Sequence, residues 1–436
     1  MIGVVVMARA PVPGAAKTRL EPLLGAEGAA RLQGELIRHT LAWSAAAAPT
    51  WLALTPPDAA FEGLVPGRVE RFAQADGELG ARMAAAAGHI LAVHDGPVAV
   101  IGTDAPLLGP RHLAAAEAAL AAGHDAAIVP ARDGGYVLIA LARELPAAFE
   151  LSAPEWGGRR VLELTRRALQ QAGLTVAILD AVRDLDTPAD ALALRADPRC
   201  PAALRRALEP LVSIVVPVLG EEAMIGGLLD HLASLPGRWE RIVADGGSSD
   251  RTCELAGAHP SAPRIVHAPR GRANQMNAGA AVAGGEVVLF LHADTRLPAG
   301  AHASVTAALA DPALLGGNFA LRFDGEDRFS RLLGRWYALQ RRAGIYYGDS
   351  AIWLRRAAFE RLGGYRPLPI MEDYDLVRRL QRDGPTRCLP GPARTSARRW
   401  ERYGLARTIG SWVVIRWLFI AGVEPRRLAR LYPHAR

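Results

Sequence analysis

Short apolar runs alternate along the chain with longer stretches of mixed polarity. Such runs are typical of strands buried on both faces of a parallel sheet, and the stretches between them are long enough for helices. The predicted strands are Ile2 to Met7, Trp51 to Leu54, Pro97 to Ile101, Ala126 to Pro130, Tyr136 to Ala140, Thr175 to Leu179, Ser213 to Val218, Arg241 to Ala244, Arg264 to His267 and Val287 to Leu291. The predicted helices include Gly25 to Ala47, Glu78 to Val93, Pro110 to Ala122, Glu221 to Ser234, Asp250 to Ala258 and Asn274 to Ala283. This alternation predicts an α/β protein with mostly parallel central sheets.

The series is interrupted at Asp197 to Pro210, where prolines surround a short basic helix. A second strand-helix series starts directly afterwards, and a chain of 436 residues is long for one hydrophobic core. We therefore predict two tandem Rossmann-like domains, residues 1–205 and 211–436.

The two halves differ in charge. Residues 1–210 contain 20 basic and 23 acidic side chains, and residues 211–436 contain 31 and 21, so the net charges are −3 and +10. A basic half fits nucleic acid, anionic lipid or a phosphorylated substrate. Because no zinc-finger spacing or RNA-binding aromatic motif accompanies the charge, we expect no nucleic-acid partner.

Cysteine usage and the ends of the chain bear on localisation. The three cysteines are scattered without a CxxC spacing, and Met1 is followed by a strand-like run instead of a basic signal sequence. We therefore expect a cytoplasmic protein. The apolar stretch Ser411 to Val423 is too short to span a bilayer and contains Arg416. It predicts a packed or interfacial helix, with peripheral membrane contact through the C-terminal helices as a further expectation.

The strand Val287 to Leu291 runs into His292-Ala293-Asp294 and so delivers a carboxylate to the end of a buried strand. Ligands of open α/β sheets bind outside the carboxyl ends of the strands. A hard divalent cation prefers carboxylate oxygens and commonly bridges them to substrate phosphates. Asp294 therefore marks a candidate site for a metal ion and a diphosphate, with a simple Asp turn as the structural alternative.

Three more strand ends of the second half carry polar side chains that suit a nucleotide. The carboxylate after the second strand is flanked by glycines and is placed to accept from a base or a ribose. The first strand leads to acids in a helix start, and the third to a basic loop that suits an anion. These residues are Pro217, Glu221, Glu222, Asp245, Gly246, Arg270, Arg272 and Asn274. Each feature alone fits capping or turn chemistry, but together they predict a binding site at one sheet edge.

Two later segments add candidate groups. Glu372 and Asp373 begin a predicted helix after a Gly-Gly-Tyr turn. Acids there compensate the helix dipole, but near a sugar-phosphate site a carboxylate at a helix start also supplies a general base. Arg399 and Trp400 form a basic-aromatic pair that fits either a leaving diphosphate or an exposed basic helix.

These motifs, in their order, make the second half similar to a family-2 glycosyltransferase of the GT-A fold. The matching segments are SIVVPVLGEE, ADGGSSDRT, RGRANQMNAG, LFLHADTRLP, GDSAIWLRR and LPIMEDYDL. Within that family the half resembles a subgroup associated with arsenosugar biosynthesis. The resemblance implies an inverting transfer from a nucleoside diphosphate sugar to a small-molecule or lipid-linked acceptor, with Mg²⁺ or Mn²⁺ as cofactor.

The same resemblance implies roles for individual residues. Asp245 would contact the nucleotide base, Asn277 would join the nucleotide-sugar-binding set, and Asp294 would bind the metal. Asp373 would be the acceptor base, with the adjacent Glu372 as its rival.

Two positions depart from the family pattern. Gly220 stands where many relatives have Asn, and His292 replaces the first acid of the usual DxD motif. Metal ligation therefore rests on Asp294, with His292 beside it.

Lys17 is the only lysine among 51 basic residues and follows the first strand in a loop rich in proline and glycine. Since arginine serves wherever only positive charge is needed, this lysine predicts a specific phosphate contact.

The first half resembles a GT-A-like group of nucleotidyltransferases and glycosyltransferases related to the deazaflavin-cofactor guanylyltransferases. The matching segments are PGAAKTRL, IGTDAPLL, PARDGGYVLIAL and DLDTPADAL. The resemblance implies phosphates on Lys17 and Arg19, a nucleotide near Asp133, and a metal held by Asp104 and Asp186. The usual Gly-Gly-x-Gly-x-Arg loop is replaced by Pro-Val-Pro-Gly, so nucleotidyltransferase, glycosyltransferase and degenerate partner all stay open for this half.

Three hypotheses follow for the whole chain. The first is a two-domain sugar transferase whose second half performs the transfer. The second is a bifunctional enzyme whose first half makes the activated donor. The third is a non-catalytic nucleotide-binding regulatory protein, against which Asp373 argues, because a binding module needs no acceptor base.

Overall fold

The computed structural model describes residues 1–57, 59–156, 158–324, 328–342, 344–396 and 405–431. The chain forms two compact units, Met1–Leu208 and Glu209–Arg436. Leu208 is buried and its amide donates to the carbonyl of Leu204, so the last helical turn before the boundary belongs to the first unit. The carbonyl of Pro210 lies 3.0 Å from His302 Nε2 and belongs to the second unit. The predicted linker is thus divided between the two units.

The first unit is built on one sheet. Its strands are β1 (Gly3–Arg9), β2 (Thr50–Thr55), β3 (Glu70–Ala73), β4 (Val98–Gly102), β5 (Ala126–Pro130), β6 (Tyr136–Leu141) and β7 (Val176–Ile178). Its helices are α1 (Glu21–Ala47), α2 (Leu79–Val93), α3 (Pro110–Ala121), α4 (Val161–Gln171), α5 (Pro188–Ala196) and α6 (Ala202–Ala207). The strand order is β3-β2-β1-β4-β6-β5-β7, and neighbours pair in parallel except at β6.

The second unit is built on another sheet. Its strands are β8 (Val212–Val218), β9 (Trp239–Asp245), β10 (Arg264–His267), β11 (Val287–Phe290), β12 (Thr295–Arg296), β13 (Gly316–Phe323), β14 (Ile352–Arg355) and β15 (Thr386–Thr395). Its helices are α7 (Glu222–Ser234), α8 (Thr252–Gly257), α9 (Arg272–Ala281), α10 (Ala301–Leu309), α11 (Arg328–Arg342), α12 (Arg356–Arg361), α13 (Glu372–Asp383), α14 (Leu405–Ile420) and α15 (Pro425–Leu431). The order is β10-β9-β8-β11-β14-β13-β15-β12, with antiparallel pairing at β14 and β12.

The two sheets share one topology. With the two-residue strand β12 left out and strands counted within each unit, both orders read 3-2-1-4-6-5-7, and the sixth strand is the antiparallel one in both. The predicted α/β class with mostly parallel sheets is confirmed. The central strands are buried as their apolar runs predict, and every residue of β11 is at most 1% exposed.

The structure differs from the predicted elements mainly where the apolar pattern is weak. Strand β3 lies at the sheet edge, is mostly exposed and contains two charged residues, so it has no apolar run. Helix α1 starts at Glu21 instead of Gly25, with Gly25 in a non-helical conformation at φ 66°. Among the described residues, no helix combines the length and apolarity that crossing a bilayer requires.

Candidate active site

The first four strands of the second sheet are parallel, so the segments that follow them meet at one edge. Strand β14 runs antiparallel to β11, with Ile352 opposite Phe290. The residues just before β14 therefore lie at the same edge as the end of β11. This edge is the candidate active site.

Asp245, the last residue of β9, is only 3% exposed. Its carboxylate accepts from the amides of Gly247 and Ser248, both at 3.0 Å, and from Ser248 Oγ at 2.6 Å. Burial alone raises the pKa of Asp245, but hydrogen bonds from Ser248, Gly247 and His267 outweigh it, and the pKa lies below its usual value. The carboxylate is therefore fixed in position and charged.

Cys253 and His267 have ligand atoms within 4.8 Å of those of Asp245 and of each other. His267 Nδ1 lies 3.3 Å from Asp245 Oδ2. Because both carboxylate oxygens already accept hydrogen bonds from the turn, this cluster serves to hold the turn after β9.

The loops after β8 and β9 are joined by hydrogen bonds. The amide of Gly220 donates to Ser248 Oγ at 3.0 Å, and the amide of Glu221 donates to Thr252 Oγ1 at 2.8 Å. The amide of Arg251 donates to Glu222 Oε2 at 3.1 Å. The predicted nucleotide-binding acids Glu221 and Glu222 thus lie in a loop pair that is pre-organised beside Asp245.

Gln275 is a buried residue of α9 that sequence reasoning missed. Its Nε2 donates to the carbonyl of Val218 at 2.7 Å and to that of Ala244 at 3.0 Å, so it satisfies the ends of β8 and β9. A Cβ at Gly246 would lie 2.8 Å from the Gln275 side chain, which explains why glycine stands there.

His292 and Asp294 follow β11 in a segment whose burial alternates. Leu291, Ala293 and Thr295 are buried, and His292 and Asp294 are half-exposed between them. Ala293 and Asp294 lie in a turn, which the Thr295 amide closes by donating to the His292 carbonyl at 3.0 Å. Asp294 therefore lies in the turn that follows β11, and its binding of a divalent ion stays a prediction.

Asp373 reaches the same edge from the start of α13. The amide of Gly348 donates to Asp373 Oδ2 at 2.7 Å. A Cβ at residue 348 would lie 2.8 Å from His292 Nε2 and 3.3 Å from Asp373 Oδ2, so a glycine is required between these side chains. Met371, just before α13, has φ 64°, a left-handed conformation that non-glycine residues adopt mainly where function or packing enforces it.

Glu372 is adjacent to Asp373 but lies in a different environment. It is 6% exposed, and its Oε1 lies 3.7 Å from Arg272 Nη1 at the start of α9. The pKa of Glu372 is raised to about 7, mainly by burial; the charge of Arg272 opposes this shift and that of the Asp373 carboxylate adds to it. A large fraction of Glu372 is therefore protonated at neutral pH.

Asn277 holds the Gly-Gly-Tyr turn, residues 363–365, which precedes α13. Asn277 donates to the Tyr365 carbonyl and accepts from its amide, both at 2.8 Å. Gly363 and Gly364 have φ values of 71° and 69°, which glycine tolerates. The Tyr365 ring packs edge-on against Phe290 at 4.9 Å. Asn277 was expected to bind nucleotide, but both its side-chain nitrogen and its side-chain oxygen form hydrogen bonds within this turn.

The other predicted residues of this site are placed as follows. Pro217 lies in β8, paired with Ala244. Arg270 and Arg272 are exposed before and at the start of α9, and Asn274 Nδ2 donates to the Arg270 carbonyl at 3.3 Å. Arg399 and Trp400 lie outside the described residues.

In the first unit, Lys17 is fixed by the segment after β7. Its backbone is left-handed at φ 51°, and its Nζ donates to the Leu185 carbonyl at 2.7 Å and lies 3.4 Å from Asp186 Oδ1. Arg19 Nη1 lies 3.2 Å from Asp186 Oδ2. The two predicted phosphate-binding cations therefore converge on one carboxylate.

The carboxylates of Asp133, Asp184 and Asp186 lie within 4.8 Å of one another. The pKa of Asp184 is raised to about 6, mainly by burial, with contributions from the charges of Asp133 and Asp186. This donor set fits a hard divalent cation. Asp104, the predicted partner of Asp186, instead lines a cavity of about 340 Å³ with Lys17, while its carbonyl accepts from the Leu185 amide at 2.8 Å.

Comparison with known proteins divides the chain in the same way. Residues 213–363 match the sequence profile of the family described as Glycosyl transferase family 2. Residues 39–157 match that of a family described as uncharacterized protein conserved in bacteria, DUF2064. The second unit thus contains a glycosyl transferase family 2 domain, and the first contains a DUF2064 domain.

Individual relatives cover only parts of the chain. It is 36% identical over 93 residues to dodecaprenyl-phosphate galacturonate synthase of Rhizobium johnstonii. This match covers 19% of this chain and 28% of that protein. It is 35% identical over 96 residues to the PGL/p-HBAD biosynthesis glycosyltransferase of Mycobacterium bovis, with coverages of 20% and 37%. The chain thus matches less than two fifths of the length of either relative.

Among solved structures, the mannosyltransferase PcManGT from Pyrobaculum calidifontis, in complex with GDP-Man and Mn²⁺, is 20% identical with a TM-score of 0.38. The match covers 51% of this chain and 69% of that one. The predicted relationships to the arsenosugar subgroup and to the deazaflavin-cofactor enzymes stay predictions.

Proposed function

We propose that the second unit transfers a sugar from a nucleoside diphosphate donor to an acceptor hydroxyl with inversion at the anomeric carbon. The observation that carries this proposal is the meeting of His292, Gly348 and Asp373 at the sheet edge onto which β11 also delivers Asp294. One edge then offers a carboxylate for the diphosphate side and another for the acceptor side.

Asp373 is the proposed base. It would take the proton of the acceptor hydroxyl while the oxygen bonds to the anomeric carbon and the nucleoside diphosphate leaves with the electron pair. The amide of Gly348 fixes its Oδ2, which orients the carboxylate before the acceptor binds. Glu372 is less suited as the base, because its pKa is raised to about 7, mainly by burial, and much of it is already protonated at neutral pH.

Asp294 is the residue that would hold a divalent ion, Mg²⁺ or Mn²⁺. A half-exposed carboxylate at a strand end fits such ions, which commonly take one or two protein carboxylates together with substrate phosphates. When bound, the ion offsets charge on the leaving diphosphate. Asp245 would accept from the nucleotide base, and Arg270 and Arg272 would add positive charge beside the phosphates.

The deciding experiment compares Asp373→Asn with Glu372→Gln in the full chain. Asp373→Asn is nearly isosteric and should leave donor binding intact while transfer falls by roughly 10²–10⁴-fold, the usual contribution of a general base. Asp294→Ala is the matched control on the metal side, and it should instead lower metal-dependent donor affinity. Normal transfer by Asp373→Asn, with loss in Glu372→Gln, would reassign the base to Glu372; normal transfer by both would refute the inverting mechanism.

We propose a membrane-associated, lipid-linked acceptor for this reaction. Val414, Trp417 and Ile420 of α14 are each more than half exposed, and Arg426, Arg427 and Arg430 are exposed on α15. Apolar side chains beside arginines suit the surface of an anionic bilayer. The match to a synthase named for dodecaprenyl phosphate supports the same acceptor class.

A second candidate function, nucleotidyl transfer by the first unit, is favoured by the cluster of Asp133, Asp184 and Asp186 beside Lys17. Pyrophosphate release from nucleoside triphosphates, tested with sugar phosphates as co-substrates, measures it. Release that persists in Asp184→Asn and Asp186→Asn variants would count against this function.

A further inference from the structure

A cavity of about 320 Å³ lies in the first unit, apart from the one that Lys17 and Asp104 line. Its wall includes the side chains of four arginines, Arg111, Arg132, Arg183 and Arg199, together with Asp197. We refer to it as the arginine cavity. None of the functions considered above uses it.

The charges of the arginine cavity are only partly compensated. Arg199 Nη2 lies 2.7 Å from Asp197 Oδ2, and Arg183 Nη1 lies 3.2 Å from Asp190 Oδ1. Within the part of the chain that the structure describes, no carboxylate lies within ion-pair distance of Arg111 or Arg132. The cavity thus presents a positive excess from two guanidinium groups.

The wall that carries Asp197 and Arg199 is held in place from behind. Arg205 donates to the carbonyl of Arg195 at 2.7 Å and to that of Asp197 at 2.9 Å. The bidentate contact of Arg199 with Asp197 also fixes the guanidinium plane. A rigid arrangement of this kind reduces the entropy cost of binding a ligand.

The cavity also lies next to the acid cluster. Arg132 immediately precedes Asp133 after β5, and Arg183 immediately precedes Asp184 after β7. Strands β5 and β7 are parallel, so both arginines belong to the same carboxyl edge of the sheet. Residues next to the acid cluster therefore line two cavities. Lys17 lines one of them, and the four arginines line the other.

We propose that the arginine cavity binds the phosphate group of a small phosphorylated compound, as a second ligand site of the first unit. A phosphate monoester carries a charge of about −1.5 to −2 at neutral pH, which matches the two arginines without carboxylate partners. Guanidinium groups bind phosphate in a bidentate manner, and the volume leaves room for a small organic group. The inference concerns binding by the first unit and does not depend on glycosyl transfer by the second.

Calorimetric titration of the full chain with glycerol 3-phosphate and with inorganic phosphate, at constant ionic strength, tests this site. Both should bind, whereas glycerol should not. Arg132→Gln should lower the affinity at least tenfold, and adding Arg111→Gln should lower it further. Arg143→Gln is the matched control, because Arg143 pairs with Asp125 at 2.9 Å at the opposite edge of the same sheet, and it should leave the affinity unchanged.

The same titrations in a Lys17→Met background separate the two cavities, because there Arg132→Gln should still lower the affinity for glycerol 3-phosphate at least tenfold. Equal affinity of wild type and Arg132→Gln, or an equal loss in Arg143→Gln, would overturn the proposal. Loss confined to Lys17→Met would move the phosphate to the other cavity and overturn it as well. Urea unfolding of each variant establishes that the arginine substitutions leave the fold intact.

Discussion

The two sheets have the same strand order, yet their edges carry different chemistry. In each unit a glycine just before the sixth strand contacts the start of a helix that lies between the sixth and seventh strands. Gly348 donates its amide to the Asp373 carboxylate, whereas the Gly134 carbonyl accepts from the Leu162 amide at 3.0 Å. The two glycines thus differ in their contacts: one holds the side chain of a catalytic candidate, and the other holds only the helix backbone.

The helix starts explain the difference. Helix α13 begins with Glu372 and Asp373, whereas α4 begins with Val161 and Leu162 after two arginines. The first unit places its acids after the fifth and seventh strands instead, where Asp133, Asp184 and Asp186 gather. Function is therefore set by a few residues at strand ends and helix starts, because the scaffold is common to both units.

The sharpest test of this comparison replaces both glycines by alanine. In Gly348→Ala the new Cβ meets His292 and Asp373, and we expect transfer to fall about 10²-fold or more, because displacing reacting groups by an ångström costs about that much. In Gly134→Ala the Cβ would clash with the Arg159 carbonyl oxygen, and the backbone φ of 98° is one that alanine rarely adopts. That variant should destabilise the first unit by roughly 1–3 kcal/mol and leave transfer unchanged.

Transfer rates and urea unfolding of both variants decide the outcome. If Gly134→Ala loses as much transfer as Gly348→Ala without unfolding, the two edges do not have the separate roles assigned to them.

Much of this architecture follows from the apolar pattern. Strands β5 and β10 lie where the sequence predicted them, Asp245 ends β9 and Asp294 follows β11, because buried apolar runs and the acids at their ends are local features. The contacts between distant segments do not follow. Nothing local to Gly348 indicates that it separates His292 from Asp373, and nothing local to Asn277 indicates that it holds Tyr365. Such pairings depend on tertiary folding, which a pattern of single positions does not encode.

Glu372 should make the free energy of unfolding of the second unit depend on pH. An acid whose pKa rises from its usual value of 4.5 to about 7 on folding favours the folded state below pH 4.5, and this contribution is lost as the pH rises through 7. The loss amounts to about 3 kcal/mol, since each pH unit of difference corresponds to about 1.4 kcal/mol. Glu372→Gln removes the titration, so its stability relative to wild type should increase between pH 4.5 and 7.

Urea unfolding at several pH values measures this change. Asp375→Asn, on the same helix, is the control for loss of a helix-start acid. A constant difference between wild type and Glu372→Gln across that range would show that Glu372 is not buried as a neutral acid.

Nucleotide binding by the first unit should depend on Lys17. Its Nζ donates to the Leu185 carbonyl and lies 3.4 Å from Asp186, and its side chain is 12% exposed, so a longer, planar guanidinium could not reproduce both contacts of the compact ammonium group. Lys17→Arg should weaken nucleotide binding by roughly 1–3 kcal/mol, the range for hydrogen bonds to charged groups. Arg19→Lys is the matched control, because Arg19 contacts the same carboxylate but is 73% exposed. Calorimetric affinities that are the same for both variants would refute a specific role for Lys17.

The smallest effect concerns the exposed apolar side chains, which differ between the units. In the first unit such residues are scattered among the described elements, for example Leu79 on α2 and Ile178 on β7, whereas α14 carries Val414, Trp417 and Ile420 together. If α14 contacts a bilayer, Trp417→Ser should weaken binding to vesicles that contain anionic lipid by about 1 kcal/mol, or roughly fivefold, because one aromatic ring no longer inserts. Ile178→Ser, in the first unit, should have no effect on sedimentation with the same vesicles. Binding that is insensitive to Trp417→Ser but abolished by high salt would assign the contact to the arginines of α15 alone, and absence of binding by the wild type would exclude the membrane surface as a partner.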